Sequence, residues 1–179
     1  MEEFYWSLGM RAEFVEVNSG NLARIAQLTQ KTNQLNLTTR RYTESQIVDM
    51  CQDPAWRISG VRLIDNFGDN GIVGTIFMKI AAETAEIDTL LLSCRVIGRT
   101  VETAILARAC DTAAMSGCKR LTGWFLPSNK NAPAADIYSE HVFIMTAQEG
   151  EGTFWELDLS NKSISMPAWI SPSSGRIDV

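Results

Sequence analysis

Cys94 stands between an apolar run and a short basic turn, within Ser93-Cys94-Arg95-Val96-Ile97-Gly98-Arg99-Thr100-Val101-Glu102. A thiol in that place can carry an acyl group, because thiolate is a strong nucleophile and is favoured beside an arginine and near a helix start. The bland alternative is a core thiol, since cysteine is among the most often buried residue types. Arg95 and Arg99 offer paired donors suited to a phosphate. Gly98 lets the backbone close around a ligand without a Cβ in the way. The alternative is a plain strand-to-helix connection with solvated arginines.

Two elements must position this turn. Ile87 and Leu90 to Leu92 read as a buried strand ahead of it. Behind it, Val101, Ile105, Leu106, Ala109 and Ala113 fall on one helical face, ended by Ser116-Gly117. The first N–H groups of that helix lack intrahelical partners and favour an anion.

Further candidates lie elsewhere. His141 is the only histidine, so an imidazole base must be this one. It follows a short helical segment, Asn131 to Glu140, where a cation is favoured, and a surface capping histidine is the alternative. Thr38, Thr39, Arg40 and Arg41 form a polar loop able to grip a phosphate, or else an exposed basic pair. With Asn36 and Asp88 they make up the candidate substrate-binding set. Asp88 and Glu86 share a strand face by two-residue spacing.

The other elements follow from pattern. A first strand runs from Ala12 to Val17, and a helix through Leu22, Ile25, Ala26 and Leu28 has Ser19 placed to cap it. Thr43 and Gln46 make a capping box for a second helix. Strands at Trp56 to Leu63 and Ile72 to Ile80 flank the turn-rich Asp65 to Gly71. Strands at Ala85 to Ser93, Arg120 to Phe125, Val142 to Met145 and Thr153 to Leu159 complete the set, in an α/β fold of order β α α β β β α β α β β.

A chain of 179 residues with 45% hydrophobic content can bury one core, so residues 1–159 are expected to form one domain. The serine- and proline-containing 160–179 reads as a linker-like tail. No apolar stretch approaches the roughly 20 residues that span a bilayer, and a cytoplasmic protein is expected. The net charge of -5 without a basic cluster argues against nucleic acid. Cys51, Cys94, Cys110 and Cys118 form no C-x-x-C pair, so neither zinc nor a disulfide framework is expected.

The spacing Arg95-x-x-Gly98-x-Thr100 resembles the phosphate loop of the GCN5-related N-acetyltransferase (GNAT) superfamily, with Thr100 where a smaller residue is usual. Asn131-x-x-Ala134-x-x-x-Tyr138, followed by Phe143, resembles a second GNAT segment, with Val142 where glycine is usual. The resemblance implies the GNAT fold, a mixed and mostly antiparallel sheet flanked by helices. It also implies that Arg95, Val96, Gly98, Arg99, Thr100 and Asn131 hold coenzyme A or the phosphopantetheine of a carrier protein. Tyr138 is then placed to protonate a leaving thiolate.

Four blocks, at residues 31–42, 65–71, 87–99 and 130–133, resemble the C-terminal GNAT-like domain of FkbH-like proteins. That resemblance implies loading of a glyceryl unit from 1,3-bisphosphoglycerate onto an acyl carrier protein in polyketide biosynthesis. It also implies an N-terminal haloacid-dehalogenase-type phosphatase domain, whose Asp-x-Asp motif this chain lacks. An ordinary coenzyme-A-dependent N-acetyltransferase and a non-catalytic carrier-docking module are the alternatives.

Overall fold

The computed structural model describes residues 2–172. Helix α1 (Glu2–Leu8) leads into strand β1 (Met10–Glu16), and α2 spans Leu22–Lys31. Ser19 does not cap α2. The N-cap residue is Asn21, whose side chain accepts from the Asn18 N–H and donates to the Glu16 carbonyl, both at 2.8 Å, tying the helix to the end of β1. Strand β2 is the pair Leu35–Asn36, and α3 (Glu44–Gln52) begins at the Thr43–Gln46 capping box read from the sequence.

Strands β3 (Trp56–Asp65) and β4 (Gly68–Ala81) form a hairpin closed by Asn66 and Phe67 alone, tighter than the seven-residue connection expected. Asp65 accepts the Phe67 N–H at 2.8 Å, which substitutes a side-chain turn for backbone pairing. Next come β5 (Thr84–Leu92), α4 (Val101–Met115) and β6 (Arg120–Phe125). The expected helix from Asn131 is a 3-10 turn, Ala132–Ala134, followed by the single-turn α5 (Ile137–Glu140). Strands β7 (Ile144–Glu149), β8 (Gly152–Asp158) and β9 (Ile170–Pro172) complete the described residues.

The strands form one sheet in the order β7-β8-β6-β5-β4-β3-β1-β9, with β2 attached to β5. Among the described residues only β5 with β6 and β1 with β9 run parallel. Alternate residues of β4 serve opposite faces: Phe77 joins Ile25, Ala26 and Ile47 under α2 and α3, while Ile76 joins the core beneath α4. Ile105 and Leu106 of α4 are fully buried, each worth roughly 1.5–3 kcal/mol against exposure.

The centre of the sheet positions the site. β5 and β6 pair only from Thr84–Arg120 to Ile87–Gly123, and beyond that the gap is filled by the segment at 35–38. Leu35 and Asn36 pair with Leu92 and Leu91, the Leu37 N–H donates to Leu90 at 3.1 Å, and the Leu126 N–H donates to Leu37 at 2.9 Å. The β4–β5 register shifts at Phe77/Met78, leaving Asp88 in a bulge. The bulge interrupts the strict two-residue alternation between Ile87 and Thr89.

Residues 160–172 are not a free linker. Ile164, Met166 and Trp169 pack on the main core, and Ile170 pairs with Met10. Serine content masked these apolar residues in the sequence. The rest of the expected linker, 173–179, lies outside the described residues.

Candidate functional site

A cavity of about 780 Å³ opens where α2, the Ser93–Arg95 turn and the Asn129–Lys130 loop meet. Arg24 and Lys31 come from one face of α2, seven residues apart, and Leu28 lies between them. Arg95 and Lys130 complete the set from two other parts of the chain. None of the four pairs with a carboxylate among the described residues. Arg24 is held by the Ile72 carbonyl at 3.2 Å and Gln27 Oε1 at 2.6 Å. Burial, and after it the facing Arg95, lowers the Arg24 pKa. A smaller cavity of about 340 Å³ shares Asn33, Asn129 and Lys130 with the first.

Cys94 is exposed and lines the larger cavity beside Arg95. It does not sit at the start of α4, as the sequence suggested. It opens a 3-10 turn, Cys94–Val96, and α4 begins only at Val101. Cys110 and Cys118 are buried, and burial raises both thiol pKa values.

The turn after Cys94 uses three of its backbone donors internally. The N–H groups of Val96, Ile97 and Arg99 donate to Ser93, Cys94 and Val96 carbonyls at 3.1, 3.4 and 3.3 Å, so these donors face inward. Val96 itself is core. Gly98 has φ +79°, which requires glycine-like backbone, but its carbonyl accepts the Tyr5 hydroxyl at 3.2 Å. Arg99 is paired with the buried Asp65 at 2.7 Å. Burial pushes the Asp65 carboxyl up, but the Phe67 N–H, Asn70 and Arg99 outweigh it and hold the pKa below its ordinary value. Thr100 is the left-handed N-cap residue of α4 and accepts the Trp169 indole N–H at 2.8 Å. Tyr5 and Trp169 stack at 5.1 Å, so both ends of the described chain cover this turn.

The expected substrate set is also committed. Arg40 forms an ion pair with Asp88, and the hydroxyls of Tyr42 and Thr89 donate to Asp88 Oδ2 at 2.6 and 2.9 Å. Thr38 donates to the Asp88 carbonyl at 2.9 Å. The bulge carboxylate is therefore a hub that holds the 38–42 loop. Arg41 donates to the Thr29 carbonyl at 2.6 Å, to the Gln30 carbonyl and to Asn33 Oδ1, satisfying carbonyls left open at the end of α2. Asn36 is buried, and its Oδ1 accepts the Thr39 N–H at 2.9 Å. Both arginines spend donors on the protein itself in this arrangement. Of the six, Thr39 and Arg41 line the smaller cavity.

Asn131 is fully buried and fully bonded: Nδ2 donates to the Asn36 and Leu126 carbonyls, and Oδ1 accepts from the Ser128 N–H and hydroxyl. It organises loops instead of facing a cofactor. Tyr138 is fully buried and its hydroxyl has no partner. Burial, with Glu86 second, pushes the phenol well above its ordinary range. His141 Nδ1 lies 2.7 Å from the Ile137 carbonyl, so it donates there, and Nε2 lies 2.7 Å from the Thr103 hydroxyl. Neither Tyr138 nor His141 lines the Cys94 cavity. The sequence-derived trio of Cys94, Tyr138 and His141 is not brought together.

No protein-family model matches the chain, and no curated protein matches it by sequence. Solved structures do resemble it. The ribosomal-protein-S18-alanine N-acetyltransferase of Escherichia coli aligns with TM-score 0.61 at 13% identity, over 87% of this chain and 96% of that one. Mutant forms of the spermidine/spermine N-acetyltransferase SpeG of Vibrio cholerae align with TM-score 0.64 at 15% identity, over 84% and 95%. A protein of Desulfovibrio desulfuricans assigned to the GNAT acetyltransferases aligns with TM-score 0.64 at 11% identity, over 84% and 99%. The fold is the GNAT fold.

On this GNAT scaffold, sequence reasoning missed Arg24, Lys31 and Lys130. The spacing Arg24, Leu28, Lys31 was a visible signal, since it lays two cations along one helix face. Lys130 had none, because only the folded loop brings it opposite α2. Among the described residues no group of three His, Cys, Asp or Glu side chains is arranged to hold a metal, and no helix is long and apolar enough to cross a membrane.

Proposed function

We propose that this GNAT domain is an acyltransferase that moves a glyceryl-type three-carbon unit from 1,3-bisphosphoglycerate to the phosphopantetheine thiol of an acyl carrier protein. A separate phosphatase domain would remove the remaining phosphate. The observation that carries the reading is the exposed Cys94 thiol on the wall of a cavity lined by unpaired cations. The FkbH-like sequence blocks supply the acyl unit and the partner.

The chemistry balances with few groups. Cys94 thiolate attacks the acyl carbon of the mixed anhydride, the carbon–oxygen bond to phosphate breaks, and phosphate leaves as an anion without needing a proton from the protein. The surrounding cations favour the departing phosphate. The pantetheine thiol then loses its proton to water and attacks the thioester, expelling Cys94 as thiolate. Exchange between two thiols needs no strong acid, which fits a site that His141 and Tyr138 do not reach.

A second reading is coenzyme-A-dependent N-acetylation, favoured by the N-acetyltransferases among the similar structures. Peptide mass spectrometry after incubation with donor and no carrier separates the two. The first reading expects a glyceryl-type adduct on Cys94, and expects Cys94→Ala to lose both adduct and carrier loading. Full carrier loading by Cys94→Ala rejects the cysteine relay, and acetylation of an amine acceptor by that variant favours the second reading.

A further inference from the structure

We propose that Arg24, Lys31, Arg95 and Lys130 form a site for the phosphate group of a phosphate ester, on the α2 side of the Cys94 turn and not at the start of α4. It concerns the cavity of the proposed acyltransferase but does not depend on acyl chemistry.

Three observations converge. The start of α4 carries an acidic residue, Glu102, in its first turn, which disfavours an anion there, and Trp169 donates to the Thr100 hydroxyl beside it. The turn's remaining guanidinium, Arg99, is paired with Asp65, so only Arg95 is left for a ligand, and it lines the cavity. Facing it are two cations from α2 and one from the 129–130 loop, all lacking carboxylate partners among the described residues in a chain of net charge -5.

A solvated charge run is an inadequate account. The four cations come from three chain segments and line one concavity, and Arg24 is held in place by its bonds to Ile72 and Gln27 although Arg95 is near enough to lower its pKa. Like charges held together without counter-charge are relieved by a bound anion, and the carboxamides of Asn33 and Asn129 supply neutral donors beside them. A phosphate dianion matches that set better than a carboxylate, having one more charge and more acceptor oxygens.

Phosphate could come from the acyl donor or from the pantetheine arm. The test follows alkylation of Cys94 by iodoacetamide in the intact domain, with inorganic phosphate as titrant at constant ionic strength. Saturable protection by phosphate is expected, and Lys130→Gln and Arg24→Gln should each raise the phosphate needed by about tenfold. Lys119→Gln, removing an exposed lysine paired with Glu83, should not. Comparing 3-phosphoglycerate with glycerate, and 4′-phosphopantetheine with pantetheine, assigns the source to the pair with the larger difference. No difference in either pair, or protection unchanged in both variants, overturns the site. Calorimetric phosphate binding by Cys94→Ala supports the site even if no acyl adduct ever forms on the parent, so the site and the acyl relay fail separately.

Discussion

Asn131 Nδ2 donates to the Asn36 carbonyl at 2.9 Å, joining two loops 95 residues apart in sequence at the edge of the Cys94 cavity. Asn131→Ala leaves the Asn36 and Leu126 carbonyls and the Ser128 N–H short of a partner. Of these the Asn36 bond is buried, and a buried unsatisfied group costs about 1–3 kcal/mol, so a loss of that order is expected in urea unfolding. A loss below 1 kcal/mol would mean that water replaces the amide.

Tyr138 Oη would lie 2.0 Å from a Cβ placed on Gly123, and the hydroxyl has no hydrogen-bond partner. Tyr138→Phe is expected to stabilise the domain by about 1 kcal/mol and to leave carrier loading unchanged. Gly123→Ala should destabilise strongly in the parent and less in Tyr138→Phe. Loss of transfer with retained stability in Tyr138→Phe would give the phenol a chemical role.

Val142 has φ +60°, a conformation that β-branched residues rarely adopt. Val142→Gly is expected to gain about 1 kcal/mol, roughly 2–4 °C in Tm. The side chain is exposed, so no packing is lost in exchange. An unchanged or lower Tm in calorimetry would contradict the strain.

Glu102 has an unpartnered buried Oε2, and burial raises its pKa from the ordinary 4.5 despite its own N–H and His141. A carboxyl with a raised folded pKa binds its proton more tightly in the native state, so stability falls as pH climbs through 4.5 towards the folded value. Glu102→Gln should flatten that fall and raise Tm at pH 7 while matching the parent near pH 4. Parallel Tm profiles for the two proteins would refute it.

The sequence was most legible where structure is local. The Thr43–Gln46 capping box, the apolar run Leu90 to Leu92 and the helical spacing from Val101 to Ala113 each declare an element within a few residues, and their order carried the fold. Two-residue β2 and three-residue β9 have no local signature, because both exist only by pairing with distant strands. The site was half legible. Cys94 and Arg95 were visible together, but Arg40, Arg99 and Asn131 looked free because Asp88, Asp65 and Asn36 lie far away in sequence. A polar residue's availability depends on its partners, and pattern does not reveal them.

Met10 pairs with Ile170 across nearly the full length of the chain. This edge forms only by closing a loop that spans most of the described residues, which is costly in chain entropy. The sheet from β3 to β8 can order earlier, leaving the Tyr5–Trp169 clasp as the final step. In the finished protein the same edge should be the first to open, so limited proteolysis near residues 160–170 should precede any cut within the central strands.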